Sequence, residues 1–442
     1  MKKIFLILLV LFLMLTLLFS VSAQEKGEEK IVLTWYQWFD ANTHENVLIP
    51  TIEEFETLHP NVKIELAEIP NETYWDRLAL DIASGVEGDI VTLDTGAGLM
   101  GYYSQRSEGA FIPLDDYIKG YTLPDGTSLE DDVMLIDSVK INGHVVALPY
   151  IMFSAPMTAY RKSILEKAGV SPAELTTWDG YYEAAKKLTK DVNGDGKIDI
   201  YGFGHPVYAE VISRWWHMHW LWTAGGGIFP NEEPPYTADR LIFNSKENVK
   251  AIEFLKKMID ETGPSGQKNI SELHSMFANG TLATVQIAVW TLANFEAMMS
   301  ESDYMNDIGM VPFPSLVSGN EVKKPVCTSW GNPLAISSKC KHPDEAFDFI
   351  AFLHSKEAQK REMVRATPTN KLVYDDYAKI KPKQAELIQT CQNYEMRLVP
   401  DIVEWNQFDH IIQESIKSAL LGAEGVQEAL DWGQQEMEKI LK

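Results

Sequence analysis

The chain of 442 residues contains only three cysteines, Cys327, Cys340 and Cys391. An odd number leaves at least one thiol unpaired, so a disulfide framework does not hold this fold together. The cysteines and histidines also lack the spacing of a zinc site. Basic residues are scarce, because 39 Lys and Arg stand against 63 Asp and Glu and the net charge is −24. Such acidity argues against nucleic acid or an anionic membrane as the partner.

Recognisable catalytic motifs are missing as well. The chain has no G-x-S-x-G, no H-E-x-x-H, no Walker loop and no G-x-G-x-x-G between a strand and a helix. A secreted glycosidase, which works through a pair of carboxylates, is the alternative enzyme class, since carboxylates are abundant. No pair among them stands out from the rest, so we predict a protein that is not an enzyme.

Only one stretch is both long and apolar. Residues 4–19 follow the basic Met1-Lys2-Lys3 and precede the small residues Val21-Ser22-Ala23, which is the pattern of a secretory signal peptide over residues 1–23. An uncleaved membrane anchor is the alternative that its length permits. Cleavage is favoured, and it removes two lysines and takes the net charge from −24 to −26. No cysteine stands at the cleavage point, so we predict a periplasmic or secreted, soluble protein without a lipid anchor.

Strands and helices alternate after the leader. Residues 31–36, 62–67 and 89–93 are rich in β-branched and apolar residues and predict strands. Helices are predicted over 47–58, with Ile52, Phe55 and Leu58 on one face, and over 74–83 before Gly85. This alternation predicts a parallel, doubly wound sheet, whose ligands bind beyond the carboxyl ends of the strands. Four candidates lie just past strands one and three, namely Trp38, Asp40, Asp94 and Thr95.

A loop over residues 191–202 carries oxygen ligands at alternating positions. Asp191, Asn193, Asp195 and Asp199 occupy EF-hand positions 1, 3, 5 and 9, and the Lys197 carbonyl occupies position 7. Position 12 is a glycine where a bidentate Glu would be required. Two interpretations therefore remain open, a structural calcium site and a hairpin of Asx turns.

Seven sequence blocks occur in a characteristic order. They are DIV at 89–91, GAFIPLDDY at 109–117, NGHVVALPY at 142–150, TWDGYYEAAKKLT at 177–189, FANG at 277–280 before Trp290, PLAISSKCKHPDEAFDFIAFL at 333–353 and ALLGAEGVQEAL at 419–430. This ordered set resembles the family 1 extracellular solute-binding proteins of bacterial ABC importers, which include the maltose-binding-protein-like sugar binders. The residues at 287–289 depart from the family pattern, which has a glycine-containing step before the tryptophan.

The resemblance implies an α/β fold of the two-lobed, type II periplasmic-binding-protein class. Each lobe would be a doubly wound mixed sheet flanked by helices, with a multi-strand hinge between the lobes. The expected N-terminal lobe comprises residues 24–150 and 284–328, and the C-terminal lobe comprises 151–283 and 329–442. Crossings are expected near 150–156, 280–284 and 326–331. The lobes would close on a ligand by a hinge motion.

A sugar offers hydroxyls for hydrogen bonding and C–H faces for stacking, so its site needs aromatic rings with carboxylates between them. Composition and the family pattern together give the candidate ligand-binding residues Trp38, Asp40, Asp94, Thr95, Tyr150, Trp215, Trp216, His219, Trp290, Trp330, Trp405 and Asp409. Trp290 is the strongest of them, because it follows the F-x-x-G strand. Trp38 could instead lie inside its lobe. Trp75, Trp178 and Trp432 are expected to pack in helices.

The function that the resemblance implies is capture of a sugar, with an oligosaccharide favoured, and its delivery to the membrane permease of an ABC importer. We expect a monomer without a cofactor, apart from the calcium that the loop at 191–199 would hold. A non-sugar solute such as a glycerol phosphodiester or a peptide is the alternative ligand for the same fold.

Overall fold

The computed structural model describes most of the chain. The described residues are 30–39, 43–94, 97–123, 125–207, 213–266, 268–318, 321–322, 326–363, 365–391, 394–400, 402 and 404–442. The predicted signal peptide and the candidates Asp40 and Thr95 lie outside these residues.

Strands and helices are interspersed along the described chain. In chain order the strands are β1 Ile31–Phe39, β2 Val62–Pro70, β3 Ile90–Thr92, β4 Lys140–Ile141, β5 His144–Val145, β6 Leu148–Ala155, β7 Met157–Arg161, β8 Thr284–Ile287, β9 Ile308–Pro312, β10 Val317–Ser318, β11 Glu321–Val322, β12 Val326–Ile336, β13 Thr367–Pro368 and β14 Glu395–Met396. The α-helices are α1 Ile49–Leu58, α2 Asn71–Ser84, α3 Ala97–Tyr103, α4 Asp115–Ile118, α5 Leu129–Asp132, α6 Lys162–Ala168, α7 Trp178–Leu188, α8 Ser213–Ala224, α9 Lys246–Thr262, α10 Ile270–Ala278, α11 Val289–Met298, α12 Glu301–Asp307, α13 Pro343–Phe352, α14 Lys356–Glu362, α15 Lys371–Ile380, α16 Pro382–Cys391, α17 Trp405–Leu421 and α18 Val426–Ile440. A π-helical turn, His44–Leu48, leads into α1.

The larger sheet has the strand order β13-β6-β12-β3-β1-β2, and β14 pairs with the start of β12. β1, β2 and β3 are parallel to one another, whereas β12 runs antiparallel to both β3 and β6. The predicted strands at the N-terminus are confirmed, although β1 continues to Phe39 and β3 ends at Thr92. A mixed sheet with helices packed against it results, as expected for a doubly wound fold.

The helices that follow β1 and β2 confirm most of the predicted pattern. α2 ends at Gly85, which has φ +73° and so adopts the left-handed conformation that glycine tolerates. In α1, Ile52 and Phe55 are buried, but Leu58 is 56% exposed, so its predicted inward position was wrong. Six residues rotate a helix by about 600°, which places Leu58 about 120° from Ile52 around the axis.

A smaller antiparallel sheet has the order β8-β7-β9. Helices α7, α8, α9, α17 and α18 build a second core beside it, with Trp178, Trp220 and Phe408 among its buried side chains. The hydroxyl of Thr177 accepts a hydrogen bond from the Gly180 N–H at 3.3 Å and so caps the N-terminus of α7.

The two sheets are joined where consecutive strands belong to different sheets. β6 lies in the larger sheet and β7 in the smaller one, so the chain crosses between them at Pro156. β12 crosses along its own length, because Val326 packs in the second core and Leu334 in the first. These two positions coincide with two of the three crossings that the resemblance implied. The third, expected near 280–284, is not found there, because Leu282 and Val285 both pack in the first core and β8 and β9 both pair with β7. The chain instead passes from the first core at Cys391 to the second at Ile402.

Strand pairing divides the chain differently from the expected lobe boundaries. Residues 329–442 were expected in the second lobe, yet β12 pairs with β3, β13 pairs with β6, and Phe347, Tyr377 and Ile388 pack in the first core. Residues 284–328 were expected in the first lobe, yet β8 and β9 pair with β7. The physical reason is that residues 334–336 form a central strand of the larger sheet, so the helices after it cover that same sheet.

Candidate functional site

The carboxyl edge of the larger sheet presents Trp38, the penultimate residue of β1. Its indole is half-buried and packs against Tyr74 at 5.8 Å and Trp75 at 5.9 Å between ring centroids. The guanidinium of Arg365 lies over the same ring, 5.9 Å from its centroid. A partly exposed aromatic surface with a cation on it therefore stands where parallel strands of this kind bind ligands.

Arg365 is held in place by a buried chain of polar groups. Its Nε donates to Glu362 Oε2 at 2.7 Å and its Nη2 to Glu362 Oε1 at 3.2 Å. Glu362 also accepts a hydrogen bond from the Tyr150 hydroxyl, which comes from β6. Burial, and then the charge of Glu362, raise the pKa of Tyr150 well above its usual value, so its hydroxyl keeps the proton that it donates. The two hydrogen bonds from Arg365 to Glu362, together with the bond from the Tyr150 hydroxyl that holds Glu362, fix the direction of the Arg365 side chain.

The chain Tyr150–Glu362–Arg365 ties three elements to this edge. Tyr150 comes from the strand that leads to the crossing, Glu362 ends α14, and Arg365 lies just before β13. The structure therefore places the candidate Tyr150 inside the lobe as an anchor, and a direct contact with ligand stays a prediction. Asp94, which follows β3, is buried beside this edge, and its role in binding also stays a prediction.

The second lobe presents Trp290 in a comparable position. The family pattern places Trp290 after a strand, and in the structure β8 ends at Ile287 and α11 begins at Val289, so Trp290 lies in the first turn of a helix. Its indole is half-buried and lies 5.7 Å from the imidazole of His274. α11 contacts β6, and Trp290 packs against the core of the larger sheet, so this residue lies near the crossing strands.

Four further candidates lie in buried positions. The indoles of Trp216 and Trp405 are each 1% exposed, and His219 and Asp409 are buried as well. His219 packs against Trp222 at 4.9 Å, and Gln413 donates to Asp409 Oδ2 at 3.1 Å. Packing on all sides explains this burial, because every residue of α8 from Trp216 to Ala224 is buried and α17 packs against α8, α9 and α18. Ligand contact by these residues stays a prediction.

For the candidates Trp215 and Trp330, the structure describes the backbone but not the side chain. Trp215 belongs to the first turn of α8, and Trp330 lies in β12 opposite Phe153 of β6. Trp330 is therefore on the strand that joins the two cores. Of the tryptophans expected to pack, Trp178 is buried and Trp75 is half-buried, whereas Trp432 is 40% exposed, so the prediction was wrong for Trp432.

Sequence reasoning missed a polar cluster at the carboxyl end of β8. His205 Nδ1 lies 3.0 Å from Gln286 Oε1, and the rings of His205 and His217 are 5.1 Å apart. Burial lowers the pKa of His205 to about 4 and the pKa of His217 well below its usual value. One signal was available, because Gln286 is the single amide in the apolar run TVQIAV.

The loop at 191–199 folds through its own side chains. Asp191 accepts hydrogen bonds from the Gly194 and Gly196 N–H groups at 2.6 and 2.8 Å, and Asp199 Oδ2 accepts one from Val192 N–H at 2.7 Å. These Asx-turn bonds lower the pKa of Asp191. Within the described ranges, no group of three or more His, Cys, Asp or Glu side chains could hold a metal ion. Calcium at Asp191, Asn193, Asp195, the Lys197 carbonyl and Asp199 stays a prediction.

The chain is similar in sequence to a known family and to several of its members. The family model for the bacterial extracellular solute-binding protein matches residues 40–360. An arabinooligosaccharide-binding protein of Bacillus subtilis is 25% identical over 82% of this chain and 79% of its own length. A mannitol-binding protein of Pseudomonas aeruginosa is 24% identical over 66% of this chain and 63% of its own.

Solved structures share the fold. A solute-binding protein of Thermotoga lettingae bound to α-D-tagatose superposes with a TM-score of 0.76 at 21% identity, over 93% of this chain and all of that one. The maltose-bound MalE3 protein of T. maritima gives 0.73 at 22% identity, with the same coverage. No helix in the described part of this chain has the length and apolar character to cross a membrane. The match over most of the chain shows that this protein belongs to the bacterial extracellular solute-binding protein family.

Proposed function

We propose that this protein captures a sugar between its two lobes and delivers it to an ABC importer. The observation that carries the proposal is that each sheet has a half-buried tryptophan at or just beyond the carboxyl end of a strand, Trp38 as the penultimate residue of β1 and Trp290 three residues after β8. Indole rings offer apolar faces to sugar C–H groups, and ligands of such sheets bind at this edge. The relatives that bind arabinooligosaccharide and mannitol support a sugar or polyol as the ligand.

The binding step follows from the arrangement of the lobes. The lobes touch where α3 of the first lobe contacts α17 of the second. A ligand held by tryptophans of both lobes would stabilise the closed arrangement through its differential affinity for that state. The twelve tryptophans of the chain and the relative that binds arabinooligosaccharide favour an oligosaccharide over a monosaccharide.

A thermal-shift screen with intrinsic tryptophan fluorescence tests this function. The panel contains maltose, tagatose, mannitol and an arabino-oligosaccharide, with a glycerol phosphodiester and a tripeptide as non-sugar probes. We expect at least one sugar to raise the melting temperature, since a ligand at 100 times its Kd stabilises the folded state by about 2.7 kcal/mol. A response to the phosphodiester or the peptide alone would contradict the sugar assignment. Hydrolysis of a glycosidic sugar would contradict a role in binding only.

The location and assembly of the protein are part of the same proposal. Removal of residues 1–23 on export would produce a protein that begins at Gln24 and acts outside the cytoplasm as a monomer, docking on a permease after it has bound sugar. N-terminal sequencing of protein secreted by its native host should read Gln24 first, and light scattering should give the mass of one chain. An N-terminus at Met1 would contradict cleavage.

A further inference from the structure

Three polar side chains meet at the carboxyl end of β8. Gln286 lies on β8, His205 follows the residue that bridges to this strand at Val285, and His217 projects from α8. All three are nearly fully buried, with exposed fractions of 2%, 4% and 1%.

The hydrogen bonds within the cluster satisfy only part of its polar atoms. Gln286 Oε1 is an acceptor, so His205 Nδ1 at 3.0 Å carries the proton of that neutral ring and its Nε2 is an acceptor. Among the described residues, His205 Nε2, Gln286 Nε2 and both ring nitrogens of His217 have no hydrogen-bond partner. A neutral His217 offers one donor and one acceptor. The cluster therefore has both donors and acceptors available.

Unpaired polar atoms in a protein interior are costly and rare, so a group of four in one place requires an explanation. Their place in the fold suggests one. β8 leads within two residues to α11, which carries Trp290 in its first turn, and α8 packs on β12, the strand that joins the two cores. The cluster thus lies at the same edge of the second sheet as Trp290.

We propose that His205, His217 and Gln286 form the polar part of the ligand site on the second lobe and hydrogen-bond the hydroxyl groups of an uncharged sugar. This inference rests on the proposed function, because it concerns the same cleft. A hydroxyl both donates and accepts, which matches the mixture of amide donor and imidazole acceptors. A sugar acid would bring a carboxylate, which only accepts, against His205 Nε2. Gln286 Nε2 and the N–H of a neutral His217 are donors, so a preference for neutral sugars over sugar acids rests on the acceptor His205 Nε2 alone.

Two-bond proton–nitrogen NMR spectra of the wild-type protein with ¹⁵N-labelled histidine test the proposal without any substitution. The probe is the sugar of the panel that gives the largest thermal shift. Saturation with it should move the ring ¹⁵N signals of His205 and His217 and leave those of His354, which is buried in the first core, unchanged. Unchanged signals of both cluster histidines in the sugar-saturated protein would overturn the proposal.

Substitutions give a second, independent measure. H217L and Q286M replace the polar groups by apolar ones of similar size, and we expect each to lower the affinity for that sugar at least tenfold by calorimetry. H354L removes a buried imidazole elsewhere and should bind as the wild type does. Wild-type affinity in both H217L and Q286M would overturn this inference while leaving the proposed function intact. Failure of every sugar to bind the folded wild-type protein would overturn both.

Discussion

The guanidinium of Arg365 lies over the indole of Trp38 while its nitrogens form a fork with Glu362. Glu362 has a side chain that is 1% exposed, and Arg365 has one that is 13% exposed. The pair is therefore largely buried, and its guanidinium lies against a face of the indole that we assign to ligand. Its geometry couples the stability of the first lobe to the orientation of Trp38.

The first prediction concerns this pair. R365Q leaves the buried Glu362 carboxylate without its countercharge, and breaking a buried pair in this way costs about 3–5 kcal/mol. We expect a decrease of that order in the free energy of unfolding, measured with urea. The double variant E362Q/R365Q should lose less than the sum of the two single variants, because neither charge is then left alone. Additive losses would contradict the coupling of the two residues.

The second prediction concerns Trp290. W290A removes an indole face from the proposed cleft, and the lost apolar contact is worth roughly 1.5–3 kcal/mol, or about ten- to a hundredfold in Kd. Isothermal titration with the sugar identified in the screen measures this change. W432A serves as the control, since Trp432 is 40% exposed on the outer helix α18. Equal affinities of W290A and W432A would contradict a role for Trp290 in binding.

The sequence predicted the local elements well because their patterns are local. The strand at 62–67 and the helix at 74–83 before Gly85 depend on neighbouring residues, and the structure confirms them. Their assignment to lobes failed for residues 334–391. Which sheet a strand joins depends on its partners, and β12 pairs with strands about 180 and 240 residues earlier in the chain.

The site was predictable only in part for the same reason. Trp38 and Trp290 follow strands in the sequence, so a rule about strand ends finds them. The hydrogen bond from Tyr150 to Glu362 spans 212 residues, and that between His205 and Gln286 spans 81. No spacing in the sequence indicates such pairs. The burial of Trp405 likewise depends on the packing of α17 against other helices, which the composition of the helix does not specify.

The third prediction concerns the loop at 191–199. If calcium binds there, a chelator should lower the melting temperature, and D195A should abolish that effect, because it removes one of the oxygen ligands. If the loop is an Asx-turn hairpin alone, its backbone hydrogen bonds need no ion and the melting temperature should be the same with chelator and with calcium. Calorimetric titration of chelator-treated protein with calcium decides between the two, and an absence of heat would contradict the calcium site.

The fourth prediction concerns acid stability through His354. Burial lowers the pKa of His354 from 6.5 to about 4, and its Nδ1 lies 3.4 Å from Thr369 Oγ1. Between pH 6.5 and 4 the unfolded chain therefore binds a proton at His354 that the folded protein does not bind. The contribution of the neutral, buried His354 to stability is complete above pH 6.5 and is lost as the pH falls towards 4. Over this range the loss is about 3 kcal/mol. H354Q should therefore show a shallower fall in unfolding free energy than the wild type, whereas parallel curves would contradict the shift.

The fifth prediction concerns Glu232, whose effect on stability depends on pH in the opposite direction to that of His354. Burial raises the pKa of this carboxyl from 4.5 to about 7, against the N–H donors of Trp222, Ile228 and Phe229, which lie 2.8–3.0 Å from its oxygens. The folded protein therefore holds a proton that the unfolded chain releases. This stabilisation is complete below pH 4.5 and is lost as the pH rises through 7.

E232Q removes this titration, so the stability advantage of the wild type over E232Q should grow as the pH falls from 8 to 5. The full span corresponds to about 3 kcal/mol for a shift of this size. Urea unfolding monitored by tryptophan fluorescence at each pH measures the difference. E233Q, at the exposed neighbouring carboxylate, controls for the loss of a negative charge from the same loop. A wild-type advantage that stays constant with pH would show that Glu232 is charged in the folded protein, and its three N–H donors would then outweigh the effect of burial.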